Sequence, residues 1–388
     1  MISFNNTKTA FKYKSDKELK RALWLFRLMA SPTINTIGTK MLAISLKLRL
    51  PVIGLIRHTA FAQFCGGESI DECNQTMDKL AEHGVQSLLD YSVEGKEAEE
   101  DFNRTAKMVS KTIDIAKINP AVPFAVFKLT GVMALSLLQK LSEGAPLNEQ
   151  EEKQYHFAIK RIDKICKKAF NLDVPVMIDA EESWIQGAID QIVEEMMMNY
   201  NKESTIVYNT LQMYRHDRME FLKKSHQHSQ VNGYFLGVKI VRGAYMEKER
   251  ERAQDNNYPS PIQPDKEATD RDYDLAIEYI MDNLNGMALC AGTHNEHSSD
   301  YLCGLMNVHK LDKKDSKVYF AQLLGMSDHI SFNLADAGFN VVKYVPFGPI
   351  KDVMPYLIRR AEENTSIAGQ TGRELKLLSE EVKRRKQA

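Results

Sequence analysis

The sequence predicts a parallel eight-stranded (β/α)8 barrel preceded by a helical region. Three observations predict it. Short apolar runs rich in Val, Ile and Leu recur eight times between residues 85 and 348. The segments between them, such as SWIQGAIDQIVEEMMMNYN and TDRDYDLAIEYIMDNLN, repeat their apolar residues with a helical period. No GxGxxG follows any of the runs, which removes the usual signature of the rival open doubly wound sheet. Apolar runs alternating with amphipathic helices imply strands covered on both faces, and this number of units suits a closed barrel.

In chain order, residues 1–84 read as helical, with amphipathic runs around 17–30 and 69–83. The barrel is expected over 85–370. Its strand runs are VQSLLDYSVE (85–94), PFAVFKLTGV (123–132), VPVMIDAEES (174–183) and TIVYNTLQMY (205–214). They continue with LGVKIVRGAYM (236–246), MALCAGTHN (287–295), KVYFAQLLGM (317–326) and NVVKYVPFG (340–348). The polar stretch 249–275, with three prolines at 259, 261 and 264, reads as a long excursion after the fifth strand, a loop over the active-site mouth. Residues 371–388 read as a charged, solvated helix or a frayed tail.

Composition narrows the class. Lys plus Arg total 51 against 52 acidic residues, so bulk charge gives no reason to expect a nucleic-acid partner. The five cysteines include no CxxC pair, and an odd count suits a reducing compartment. The first twenty residues carry no apolar run of signal-peptide type. The stretch MLAISLKLRLPVIGLI (41–56) is interrupted by Lys47, Arg49 and Pro51, too charged to span a bilayer. A soluble cytoplasmic protein is expected, with peripheral contact to a membrane left open. No His/Cys set stands out as a metal site.

In such a barrel the polar residues at the C-terminal ends of the strands face the catalytic mouth. Those ends carry Lys128 and Thr130; Asp179 and Glu181; Asn209, Gln212 and Tyr214; Lys239, Arg242, Gly243, Ala244 and Tyr245; Thr293, His294 and Asn295; Gln322; and Tyr344. Each admits a plain reading. Lys128 suits a surface lysine or a Schiff-base nucleophile. Asp179 and Glu181 suit metal binding, acid–base chemistry or a helix cap. Thr293-His294-Asn295 suits a cap as well. His226-Gln-His228 reads as a solvated linker and Met196-Met197-Met198 as core packing. Further on, Tyr356, Arg359, Arg360 and Glu363 fall on one helical face, where two planar guanidiniums suit a small carboxylate. The summed mouth is cationic with aromatic walls. It suits an anionic planar cofactor beside a small carboxylate, and Gly243-Ala244 would let backbone amides approach a diphosphate.

The stretches FKLTG (127–131), DAEES (179–183), NTLQMY (209–214), VKIVRGAY (238–245), GTHN (292–295), QLLGMSD (322–328) and YVPFGPIKDVMPYLIRRAEENTS (344–366) occur in one order. In that order the chain resembles the proline dehydrogenases. The resemblance implies a distorted (βα)8 barrel that holds FAD, with the final helix over the barrel mouth. It implies that Arg359 and Arg360 clamp the carboxylate of L-proline with Lys128 reaching the same anion, while Tyr245, Tyr344 and Tyr356 pack around the ring. Asp179 and Lys239 would sit near the flavin. Lys239…Arg242 stands where many bacterial relatives show Arg…Lys, which keeps charge and changes fork geometry. Ala180, Gln212, Arg242, Gly243, Ala244, Thr293, His294 and Asn295 match positions that hold FAD, with Gln322, Glu363 and Ser366 as additions. Met246 stands where some relatives have Trp.

The implied reaction is hydride transfer from proline to flavin N5, giving Δ1-pyrroline-5-carboxylate, with electrons passed to membrane quinone. Oxidation of that product is expected on a separate pyrroline-5-carboxylate dehydrogenase. Two other classes fit the bare residues: a Schiff-base aldolase built on Lys128, and a silent barrel that senses an amino acid.

Overall fold

The computed structural model describes residues 2–30, 53–93, 95, 97–366 and 370–387, with the side chains of all these except 361–366, 370 and 371. Eight strands close into a barrel in sequence order, β1 to β8. They are β1 (Gln86–Tyr91), β2 (Phe124–Lys128), β3 (Val176–Asp179), β4 (Val207–Gln212), β5 (Leu236–Val241), β6 (Met287–Gly292), β7 (Val318–Leu323) and β8 (Val341–Phe347). Every strand falls inside one of the eight predicted runs. Each is shorter than its run because pairing stops where the polar residues begin. Pairing is parallel between β2 and β3, β3 and β4, β4 and β5, β5 and β6, and β1 and β8. All six residues of β4 and all seven of β8 are buried, as strands covered on both faces require.

Two compact units divide the chain. The first comprises Met1–Glu94, His294–Glu296 and Ala321–Ala388. Its helix Asp16–Met29 opens on a capping box, in which Ser15 accepts from the Glu18 N–H and Glu18 reaches back to the Ser15 N–H. That helix packs against Met354–Ser366 and Gln370–Gln387. Phe11, Leu19, Phe26, Phe64, Val353, Tyr356, Leu377 and Leu378 form the shared apolar core. The N-terminal helices therefore shore up the helix that carries Tyr356, Arg359 and Arg360.

Beneath this core lies a buried charge cluster. Lys343 is 0% exposed on β8, and its Nζ donates to Asp328 Oδ1 at 2.8 Å and to the Met326 carbonyl at 2.5 Å. Asp328 also accepts from the Tyr13 hydroxyl at 2.7 Å and lies 3.4 Å from Lys14 Nζ. Burial disfavours its charge, yet Lys343 and Lys14 outweigh burial and hold the carboxyl down at about 2.

The second unit comprises Gly95–Thr293 and His297–Phe320. It holds β2 to β6 with their covering helices, among them Glu99–Ile118, Glu149–Leu172, Ser183–Tyr200, Arg218–Asn232 and Lys266–Asp282. Met196 and Met197 are buried in it, as a core reading requires.

Three expectations need correction. The stretch 249–275 is mostly helical, in Met246–Asp255 and Lys266–Asp282, because charged residues favour solvated helix faces and the prolines are confined to the connection between them. The C-terminal stretch is a helix, Gln370–Gln387, as one of its two readings has it, but docked rather than solvated, since it buries Leu377, Leu378 and Glu381. Glu381 accepts from Arg384 and Arg385, and Arg385 also donates to the Phe11 and Lys14 carbonyls at 2.8 Å each. His226 and His228 sit on the helix Arg218–Asn232, where His226 is buried and its Nδ1 lies 2.9 Å from the Tyr279 hydroxyl. Of the 41–56 stretch, 41–52 lie outside the described residues and Ile53–Ile56 is helical.

Candidate active site at the strand C-termini

In the second unit the ends of β2, β3 and β5 bring the predicted charges together. Lys128 and Asp179 are register partners as the last residues of β2 and β3. Lys239 comes from the middle of β5 with only 4% exposure, and its ammonium donates to Asp179 Oδ1. A buried lysine with a carboxylate partner satisfies both charges without water.

Next to that pair stands Glu181, 4% exposed. It accepts from the Thr130 N–H at 3.0 Å and the Thr130 hydroxyl at 2.5 Å. Burial pushes its carboxyl up to about 7, against the opposing pull of Lys128 and the Thr130 bonds. The Glu181 carbonyl accepts from Gln212 Nε2 at 2.7 Å, and Gln212 Oε1 accepts from the Ala244 N–H at 3.1 Å. Gln212 thus ties the turn after β3 to the turn after β5. Ala180, in the same turn, is 9% exposed.

Gly243 has φ +140°, and a Cβ there would meet the Tyr214 ring at 2.5 Å. Both the backbone conformation and the space exclude a side chain. Tyr245 lies two residues on, at the start of Met246–Asp255.

Arg242 is held more completely than sequence reasoning foresaw. Its Nε donates to Asp270 at 2.6 Å, Nη1 to Thr293 Oγ1 at 2.6 Å and Nη2 to Ser298 Oγ at 2.9 Å. Its guanidinium carbon lies 4.4 Å from the centroid of the Tyr273 ring. Asp270, Tyr273 and Ser298 were absent from the sequence-level candidates. They sit on helices, and only the fold shows that their faces turn toward Arg242.

In the first unit, Tyr344 on β8 is 8% exposed, and its carbonyl accepts from the Leu324 N–H at 2.9 Å. Gln322 is buried on β7 and accepts from the Ser331 hydroxyl at 2.8 Å. On Met354–Ser366, Tyr356 and Arg360 are each 5% exposed, with the Arg360 guanidinium 5.1 Å from the Tyr356 ring centroid. Arg359, one residue back, is half-buried. His294 Nδ1 lies 2.9 Å from Ser327 Oγ, and Asn295 follows at the start of Glu296–Val308. Glu363 and Ser366 belong to the helix Met354–Ser366, and their side chains lie outside the described ones. Among the described residues, no group of three or more His, Cys, Asp or Glu could hold a metal ion.

The Proline dehydrogenase family model matches residues 73–373, more than three-quarters of the chain. The chain belongs to the proline dehydrogenase family. It is 33% identical to "Proline dehydrogenase 1, mitochondrial" of Dictyostelium discoideum, over 98% of this chain and 74% of that one. It is 32% identical to the hydroxyproline dehydrogenase of Xenopus laevis, over 97% of this chain and 88% of the relative. Among solved structures, proline utilization A (PutA) from Bdellovibrio bacteriovorus superposes with a TM-score of 0.73 at 18% identity, covering 95% of this chain and 40% of that one. The chain thus spans about two-fifths of that longer polypeptide, and the likeness bears on the barrel fold. Membership places the chain among oxidoreductases and accounts for the shared barrel of the proline dehydrogenases.

Proposed function

We propose that the protein oxidises L-proline to Δ1-pyrroline-5-carboxylate with a bound FAD. The observation that carries this reading is the buried Lys239–Asp179 pair beside the pinned Arg242, in a chain of the proline dehydrogenase family. The donor set fits an anionic dinucleotide. Arg242 is partly exposed and uses three of the five N–H donors of a guanidinium on its anchors. Gly243 keeps a Cβ out of the adjacent turn. Arg242, Gly243, Ala244, Thr293, His294 and Asn295 are proposed to hold the cofactor, with Ala180, Gln212, Gln322, Glu363 and Ser366. Gln212 would act through the backbone it braces, since both ends of its amide are bonded within the protein. Bound FAD would supply the hydride acceptor.

The chain's own residues would bind and orient the substrate. Arg359 and Arg360 are proposed to grip the carboxylate, with Lys128 as a further cation, because guanidinium forks match a carboxylate. Tyr245, Tyr344 and Tyr356 are proposed to line the ring. Asp179 and Lys239, each neutralising the other, would keep a fixed dipole beside the cofactor without adding net charge. We further propose quinone as the electron acceptor, by peripheral membrane contact, and a separate dehydrogenase to consume the product. Among the described residues, no helix is long and apolar enough to cross a membrane.

The deciding experiment is an absorption spectrum before and after anaerobic addition of L-proline. Flavin bands that bleach with proline support the reading. A colourless protein that cannot be reconstituted with FAD overturns it, and trapping of a keto acid on Lys128 by borohydride would favour the aldolase instead.

A further inference from the structure

Ser327 is the clue. It is fully buried, and its φ of +49° puts a non-glycine residue in the left-handed region. Such conformations persist only where the surroundings over-determine them, and they concentrate at functional sites. Three contacts do so here. The Ser327 N–H donates to Glu374 Oε1, its Oγ lies 2.9 Å from His294 Nδ1, and its carbonyl accepts from Ile330 and Ser331 N–H at 3.0 and 3.1 Å. The first contact comes from the helix Gln370–Gln387, where Glu374 is 3% exposed.

The neighbouring residue on that helix reaches the same turn. Arg373 Nε donates to Glu296 Oε1 at 2.6 Å, and Glu296 Oε1 also lies 3.1 Å from His329 Nε2. Two consecutive side chains of the C-terminal helix therefore hold the two ends of the three-residue turn His294–Glu296, one directly and one through Ser327.

We propose that Glu374 and Arg373 are positioning residues for the cofactor. Glu374 holds Ser327 in its left-handed conformation, the Ser327 hydroxyl fixes the orientation and tautomer of the His294 ring, and Arg373 anchors the turn at Glu296. This rests on the reading that His294 and Asn295 help to hold FAD. Glu374 touches neither substrate nor cofactor in this scheme and acts through Ser327, while its Oε1 also lies 3.9 Å from His329 Nδ1, whose Nε2 faces Glu296. A helix whose charged sequence reads as solvated is thereby part of the cofactor-binding apparatus.

The test uses the full chain, stripped of flavin and titrated with FAD. Ser327→Ala keeps the backbone bond to Glu374 and removes only the hydroxyl on His294. It should weaken FAD about tenfold, the loss of one hydrogen bond that orients the ring, with the melting temperature of the flavin-free protein unchanged. Glu374→Ala should weaken FAD at least as much, and Glu374→Gln, which keeps an acceptor for the Ser327 N–H, should recover most of that loss. Unchanged affinity in Ser327→Ala overturns the proposal, as does a Glu374→Gln as weak as Glu374→Ala. A second readout does not depend on flavin. The ¹⁵N shifts of the His294 ring should move in Ser327→Ala and Glu374→Ala, and shifts identical to those of the unmodified protein refute the relay. If the unmodified chain binds no FAD, the functional reading fails, and the imidazole shifts still decide the relay.

Discussion

The ammonium of Lys239 donates to Asp179 Oδ1 although 96% of the lysine is out of solvent. Two strands that are not neighbours, β3 and β5, thus meet through one ion pair. Lys239→Met should remove the ammonium that donates to Asp179 inside the barrel and destabilise the fold by about 1–3 kcal/mol. Asp179→Leu combined with Lys239→Met should recover most of that stability while leaving activity lost. Urea denaturation of the three variants measures it. A single-variant loss under 1 kcal/mol would show the pair to be dispensable.

Glu181 makes stability depend on pH. Its folded pKa of about 7 lies above the ordinary carboxylate value, so the folded state holds this proton more tightly than the unfolded chain. The contribution is fully present below the unfolded pKa, near 4.5, and is lost as pH rises through about 7. Glu181→Gln can keep both Thr130 contacts and cannot ionise. The unmodified protein should therefore lose on the order of 3 kcal/mol relative to Glu181→Gln between those limits. Denaturation midpoints of both proteins at pH 5 and 8 check the slope, and parallel behaviour would contradict the assignment.

Gly243→Ala places a methyl within 2.5 Å of the Tyr214 ring at a φ that disfavours side chains. The expected cost is roughly 1–3 kcal/mol of stability. A Tyr214→Leu change in the same chain should relieve the clash and leave the backbone penalty. Thermal melts of the single and double variants separate the two contributions.

Arg359→Met should raise the KM for proline by about 2 kcal/mol in binding terms, roughly thirtyfold, if a charge-assisted bond to the carboxylate is lost. The effect on kcat should be smaller. Steady-state kinetics across proline concentrations report the split, and an unchanged KM would remove Arg359 from the substrate site.

Tyr344 is buried on β8; if it lines the substrate ring as proposed, a smaller residue there would make room for a 4-hydroxyl group. Since relatives in the family include both proline and hydroxyproline dehydrogenases, ring preference is a separate property. Proline should be preferred over 4-hydroxyproline, and Tyr344→Ser should narrow the ratio of the two kcat/KM values. Equal turnover of both substrates by the unmodified protein would refute this.

Much of the fold was legible because strand and helix periods are local. The run VMID ends in Asp179 and the run FAVFK in Lys128, so the charged mouth of the barrel could be read directly from where apolar residues stop. The packing of His226 and His228 is illegible in the sequence, since a polar stretch with few apolar residues looks the same whether solvated or packed against Tyr279 and Tyr234. The docking of the C-terminal helix is illegible for the same reason: Leu377 and Leu378 are too few to announce a buried face among so many charges.

The sequence alone determined eight strands, their order, and which residue types end them, because each follows from side chains adjacent along the chain. The tertiary structure decided which distant groups meet: Arg242 with Asp270, Thr293 and Ser298, Gln212 with Ala244, and Glu374 with Ser327. These partners are 28 to 56 residues apart, and no local pattern encodes a contact across such a separation. They meet because closing the barrel and docking the last helix bury their polar atoms together, where each must find a partner or lose the hydration it had in the unfolded chain.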